Sequence, residues 1–269
     1  MPIHPTAIVD PRAAVHPQAD IGPYVVIDGP VHVGPGTRVL AHATLLGWTQ
    51  IGADNVIHPG AVLGDAPQDL AYDGSESYLR IGDRNVIREH VQMHRGTQPG
   101  SATIVGNDNY CMNNAHVAHN CRVGNRVILA NGAVLGGHVE VQDQVFLSTG
   151  CAVHQYVRIG RLAFMRGLSR TSRDVPPFCI IDGTHTVRAL NRVGLRRAGF
   201  SGQQIRELQD AFSRLFRRAR NLAVAIREFD RGACSPEVCE LIDFIQASKR
   251  GVCVGRRRAV SGYSVIGDD

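Results

Sequence analysis

The chain has 269 residues, 43% of them hydrophobic and 20% charged, enough for one large domain or two modest ones with real cores. Its formal net charge is +5, yet Lys249 is its one lysine, which excludes P-loop phosphate chemistry and nearly all Schiff-base chemistry. No window approaches the ~18 apolar residues of a membrane span, and the first residues lack the basic and apolar regions of a signal peptide. Seven cysteines without a CxxC spacing read as free thiols of a reducing cytoplasm rather than as a thiolate zinc site.

From Ile3 every sixth residue is aliphatic: Val9, Val15, Ile21, Ile27, Val33, Val39, Leu45, Ile51, Ile57, Leu63. Four positions after each stands a small, β-branched or compact residue, from Ala7 and Ala13 through Thr37 and Thr49 to Asn55 and Ala61. The beat resumes at Ile81, Ile87 and Met93, then runs from Val105 to Met165. A period of six fits neither an α-helix nor a flat strand. It fits a short strand plus a turn, repeated, with Gly, Pro, Asp and Asn at the turns. One repeat cannot bury its own aliphatic residue, so stacked coils must share a column, which makes this a β-solenoid.

The hexad pattern over residues 3 to about 170 resembles the hexapeptide-repeat acyltransferases. That resemblance implies a mainly β fold, a left-handed parallel β-helix shaped as a triangular prism with three hexads per turn, followed by a C-terminal α-helical domain. We assign residues 1–173 to the prism, with excursion loops at 65–80 and 95–104 where the beat lapses without losing register. Residues 174–251 read as helical: "THTVRALNRVGLRRAGF" as one helix stopped by Gly199, a second capped by Ser201 with Gln204, a third near 221–231, and a fourth opened by Ser235-Pro236. Residues 252–269 show no pattern and read as a mobile tail. The basic excess after residue 185 is either a solvated helix face or a surface for an acidic partner; no aromatic-interleaved basic motif supports nucleic acid.

With three hexads per coil, residues eighteen apart stack about 4.8 Å above each other. His119, Gly137 and Gln155 form such a column, with His138 and His154 beside it and His116 three residues before His119. A non-catalytic trimeric scaffold would not need this set. Two chemistries compete for it. The hexapeptide fold includes a zinc carbonic anhydrase family, which needs an H-x4-H pair plus a third histidine, whereas the close pair here is H-x2-H. Acyl transfer needs a neutral imidazole to take a hydroxyl proton and a close backbone N–H for the oxyanion, which a histidine one coil from a glycine can supply.

The stretches "DAPQDLAYDG", "IGDRNVIREHVQMHRGT", "MNNAHVAHNCRVGNRVILANGAVLGGHVEV", "AVHQYVRIG", "DVPPF" and "VGLRRAGF" together resemble the UDP-N-acetylglucosamine O-acyltransferase family of lipid A biosynthesis, in order and over nearly the whole chain. The resemblance implies transfer of an R-3-hydroxyacyl group from acyl carrier protein to the glucosamine 3-hydroxyl, with His119 as general base and Gly137 as oxyanion donor. It implies that Asp69, His116 and His138 position sugar and acyl chain, and that His94, His154 and Gln155 line the cleft, the last two towards the nucleotide. Asn191, Arg196 and Arg197 would meet the uridine and phosphates or the pantetheine phosphate, and Gly167 would measure the acyl chain. It further implies a cytoplasmic homotrimer with sites between subunits, no metal, no resident cofactor beyond the carrier's phosphopantetheine, no stable membrane insertion, and steering of the acidic carrier by the basic tail. Four departures stand out: Ala71 where the family commonly has lysine, Asn120 where an aspartate often follows the histidine, a segment between His185 and Asn191 one residue short, and Arg166 beside Gly167.

Overall fold

The structure, a computed structural model, describes residues 3–219 and 221–255. Strands of two to four residues recur along the prism and stack into three sheets, of nine, eight and eleven strands. The first sheet starts at Ile8–Val9, the second at Ala14–Val15 and the third at Asp20–Ile21. Pairing inside the prism is parallel, and most pairs lie eighteen residues apart, as in Val9↔Ile27 and Leu129↔Leu147. One residue of each short strand points inward. Leu45, Leu63, Val117 and Leu135 of the first sheet are fully buried, and each such side chain contributes roughly 1.5–3 kcal/mol.

At the corners the chain turns sharply, and residues such as Tyr24, His42, Asn114, Asn120 and His138 adopt positive φ to do so. Asn and Asp tolerate that region best, which is why they punctuate the hexads. The compact residues of the repeat have a second use. Thr37, Asn55, Asn85 and Asn109 are buried, and the Oδ1 of Asn55 accepts the N–H of Asn85 at 2.9 Å, as that of Asn85 accepts the N–H of Asn109 at 2.9 Å. The buried carboxamide oxygens of this ladder are thus satisfied by the next coil.

Ile51 pairs with Ile81, thirty residues on, so twelve residues beyond the usual eighteen leave the prism there. Ile81 pairs with Val105 and Met93 with Val117, twenty-four apart, so six leave it in the second place. Both excursions are narrower than expected, because Val62–Asp65, Tyr78–Ile81 and Ala102–Val105 are strands; the loops proper are 66–77 and 95–101.

After residue 173 the structure departs from the expected helical domain. Cys179–Ile181 adds to the third sheet beside Phe164–Met165, and Thr186–Leu190 then adds antiparallel to it. The expected helix over 184–200 therefore shrinks to α1, Arg192–Arg197. The open edge left by Ile181 offers backbone partners, and β-branched Thr184, Thr186 and Val187 suit a strand better than a helix. Helices α2 (Gly202–Ser213), α3 (Leu222–Arg227) and α4 (Pro236–Gln246) follow, α2 running into a π-helical turn over Arg214–Arg218. Ser201 and Gln204 form the expected capping box, whereas Ser235 makes no side-chain cap and Pro236 alone opens α4. Residues 252–255 are not patternless: Val252 and Cys253 are buried, and Val254–Gly255 pairs with Thr186–Val187. The remaining residues of the expected tail, 256–269, lie outside the described ones. No helix of the described residues is long and apolar enough to cross a membrane.

Candidate active site

Strand His116–Val117 of the first sheet delivers the chain to a corner formed by Ala118, His119 and Asn120. One coil on, the N–H of His138 donates to the carbonyl of His119 at 2.9 Å, and one coil further the N–H of Tyr156 donates to the carbonyl of Gly137 at 2.9 Å. His119, Gly137 and Gln155 thus share one edge. A Cβ on Gly137 would lie 2.5 Å from His119 Nε2, so the imidazole occupies the space that only a glycine leaves. Among the described residues the Gly137 N–H donates to no protein acceptor.

The tautomer of His119 follows from its neighbours. The backbone N–H of Thr97, on the second loop, donates to Asn120 Oδ1 at 3.0 Å, which identifies the carboxamide atom there as oxygen. His119 Nδ1 lies 3.0 Å from that same oxygen and must carry its hydrogen. Nε2 is therefore the basic nitrogen, facing Gly137 and, at 3.7 Å, Asp69 Oδ2. His119 itself is 8% exposed. Asn120 removes a carboxylate from the Nδ1 side, but Asp69 returns one on the other side of the ring.

Asp69 sits on the first loop. Its carboxyl is held below the usual aspartate range by the Ala71 N–H, at 3.0 Å, and then by His119 and the Thr97 hydroxyl. Buried Arg95 braces this loop, donating to the Gly64 carbonyl and, at 3.0 Å, to the Tyr72 hydroxyl, with its guanidinium 5.4 Å from the Trp48 ring centre. His94 ties the loop's start, its Nδ1 2.7 Å from the Ala66 carbonyl, while its Nε2 is buried without a protein partner. The His94 and His116 rings are 5.2 Å apart, and His138 stands edge-on to His119 at 5.2 Å while stacking on Tyr156 at 4.5 Å. Burial, and then a neighbouring imidazole, pushes His116 and His138 below the ordinary histidine value. Both are neutral near pH 7.

The other expected site residues lie further along the same edge or on other edges. His154 and Gln155 are exposed one coil beyond Gly137, with Arg250 Nη2 3.4 Å from His154 Nδ1. Gly167 follows a strand of the third sheet and precedes one of the first, so it lies at the opposite edge of the first sheet from His119. A Cβ there would meet only ordinary contacts, the nearest at 3.6 Å, and Arg166 is drawn off to Asp182 at 2.8 Å. Asn191 is engaged at both ends of its carboxamide, accepting from the Gly194 N–H at 3.0 Å to cap α1 and donating to the Leu162 carbonyl at 2.8 Å. Arg196 and Arg197 are exposed at the end of α1. Among the described residues of one chain, no side-chain hydrogen bond or ion pair joins any of these to His119, His138 or Asp69. Among the described residues no group of three or more His, Cys, Asp or Glu side chains is arranged to hold a metal ion.

Sequence reading missed Thr97, Tyr156 and Arg95 as parts of the site. Tyr156 stands eighteen residues after His138, so the coil period could have found it. No periodic signal marks the other two, which reach the site through the loops.

The C-terminal part, residues 174–253, matches the family model described as UDP-N-acetylglucosamine O-acyltransferase, domain 2, and residues 102–137 match that of the bacterial transferase hexapeptide repeats. The chain is 41% identical over 254 residues to the acyl-[acyl-carrier-protein]–UDP-N-acetylglucosamine O-acyltransferase of Thermodesulfovibrio yellowstonii, covering 93% of this chain and 98% of that one. The enzyme of the same name from Agrobacterium fabrum is 40% identical over 264 residues, covering 96% and 94%. Among solved structures, the UDP-N-acetylglucosamine acyltransferase of Francisella novicida superimposes with a TM-score of 0.89 at 33% identity, over 95% of each chain. That of Bacteroides fragilis superimposes with a TM-score of 0.88 at 36% identity, over 93% of this chain and 99% of the other.

Proposed function

The chain belongs to the UDP-N-acetylglucosamine O-acyltransferase family, whose fold is a left-handed parallel β-helix, and from that premise we propose how its own residues carry the reaction. It is an acyl-[acyl-carrier-protein]–UDP-N-acetylglucosamine O-acyltransferase, acting at the first step of lipid A biosynthesis. His119 Nε2 takes the proton of the sugar 3-hydroxyl as that oxygen attacks the thioester carbonyl of the R-3-hydroxyacyl carrier. The Gly137 N–H receives the oxyanion of the tetrahedral intermediate. Collapse breaks the C–S bond, and the imidazolium returns its proton to the departing phosphopantetheine thiolate. Asp69, ionised beside Nε2, supports the imidazolium while it lasts and takes part in orienting the sugar, with His94, His116 and His138 around it. His154 and Gln155 face the nucleotide. No resident cofactor is proposed, because the thioester already carries the activated acyl group.

The observation that carries this reading is the tautomer lock: Thr97 and Asn120 leave His119 with its basic nitrogen towards Asp69 and Gly137. A homotrimer is part of the proposal. Its support is that Gly167 and His119 occupy opposite edges of one face, so a single cleft can hold both only if a neighbour contributes one of them. The outward residues of the third sheet also form an apolar column: Val56, Val86, Tyr110, Ile128, Phe146, Phe164 and Ile180. We place the protein in the cytoplasm, in keeping with seven free cysteines. Purified protein given UDP-N-acetylglucosamine and a series of hydroxyacyl carrier proteins should yield the acylated sugar nucleotide and elute as a trimer. No transfer with any acyl length overturns the enzymatic reading, and an active monomer overturns the shared site.

A further inference from the structure

Helix α4 begins without a polar side-chain cap. Ser235 stands at the N-cap position yet makes no cap hydrogen bond, and its hydroxyl is buried without a protein partner. What is left at this helix start is the contact that often accompanies a cap, between the residue before it and the fourth residue of the helix. Those two residues are Cys234 and Cys239. The Cys239 N–H donates to the Ser235 carbonyl at 3.0 Å, and the Cys239 thiol reaches back to 4.0 Å from the Cys234 carbonyl. Positions usually filled by two apolar side chains are filled here by two thiols.

Their surroundings set this pair apart from the other cysteines. Cys111, Cys121, Cys151, Cys179 and Cys253 are buried, whereas Cys234 and Cys239 are half-buried. Burial pushes the Cys111 and Cys121 thiols up to about 12, which keeps them inert as nucleophiles. Cys179 and Cys253 also lie near each other, but both are fully covered, so a dissolved oxidant does not reach them. The Cys234 thiol is raised by burial and then by Cys239 beside it, while the Arg231 guanidinium draws it down. That cation is fixed by Asp243 and bears on both sulfurs.

We propose that Cys234 and Cys239 form a modification site, a thiol pair that hydrogen peroxide converts to an intramolecular disulfide across the first turn of α4. One thiolate attacks a peroxide oxygen, the O–O bond breaks, and a sulfenic acid forms as hydroxide leaves and takes up the thiol's proton to become water. The second thiolate attacks that sulfenic sulfur, the S–S bond forms, and the S–O bond breaks to release a second water. Two thiols thus give up two electrons and two protons to one peroxide. In a reducing cytoplasm such a bond is transient and reports on oxidant. Its effect falls on the helix that seats the C-terminal part on the prism. Glu240 pairs with Arg161 at 2.7 Å, the Phe244 carbonyl accepts from Arg158 Nη2 at 3.0 Å, and Glu237 accepts from Gln204 Nε2 at 2.7 Å. A covalent staple fixes the uncapped end of that helix.

Treating the reduced full chain with hydrogen peroxide, at an excess that fully oxidises glutathione, tests this. Free thiols counted after denaturation should fall from seven to the five buried ones, and peptide mass spectrometry should find Cys234 joined to Cys239 with the loss of two hydrogens. The melting temperature should rise by roughly 2–6 °C, the span expected when a disulfide closes a short loop in a chain of this size, and dithiothreitol should reverse the rise. Cys234→Ser and Cys239→Ser should each abolish it, read as the difference between treated and untreated samples of one variant, so that any cost of the substitution cancels. Retention of all seven thiols, a sulfinic acid at either position, a bond between two chains, or a disulfide that leaves the melting temperature unchanged each overturns the proposal.

Discussion

Two corners of the same prism are built on the same six-residue rule and end in opposite states. At the Thr37–Asn55–Asn85–Asn109 corner each carboxamide oxygen is filled by the coil above, and only at the last rung is a donor, Asn109 Nδ2, unmatched. At the His119–Gly137–Gln155 corner polar atoms are left without a protein hydrogen-bond partner: His119 Nε2, the Gly137 N–H and, beside them, the buried His94 Nε2. A satisfied ladder stabilises; an open one has unspent hydrogen-bonding capacity for a substrate. The difference comes from a few residues. Gly137 removes a side chain where the imidazole must lie, and two loops bring Asp69 and Thr97 to the corner.

That contrast can be broken at its active end first. His119→Ala should lower kcat by roughly 10²–10⁴ with an unchanged melting temperature, the span expected of a lost general base. Retained turnover would remove the open corner from the chemistry. Gly137→Ala comes next. Its methyl would collide with Nε2 at 2.5 Å, so kcat should fall roughly 10²-fold as the base is displaced, while circular dichroism stays that of the wild type.

At the closed corner the effect should be on stability instead. Asn85→Ala leaves the ladder without its middle rung and should cost about 1–3 kcal/mol in urea unfolding, with kcat per folded molecule unaltered. A loss of activity there, at unchanged stability, would erase the distinction between the corners. The smallest effect concerns pH. His116 and His138 titrate below their unfolded value of about 6.5 because the folded state disfavours their charged forms. Below about pH 6.5 the unfolded chain therefore binds more protons, and stability contributed by the neutral rings is lost as pH falls. His138→Asn, which keeps a residue tolerant of the corner's positive φ, should flatten the decline of melting temperature between about pH 7 and 5.5. An unchanged slope would exclude His138 as a contributor.

The prism itself was legible because a solenoid repeats one local solution, and each coil restates the same requirement for an aliphatic residue and a corner. The column of His119, Gly137 and Gln155 came from that period, as did the two loops, from its lapses. The strand Thr186–Leu190 was misread as helix because its residues fit both periods, and only the open sheet edge beside Ile181 decides between them. Residues 252–255 were invisible for a related reason: a two-residue strand exists only through its partner.

What the sequence determined alone was therefore everything that depends on near neighbours and on a fixed interval. Tertiary structure decided the rest: which nitrogen of His119 is basic, which carboxylate faces it, and that Arg250 arrives beside His154. Those facts depend on a backbone N–H, a loop and a returning chain end meeting across many coils, and no local pattern specifies where such segments land.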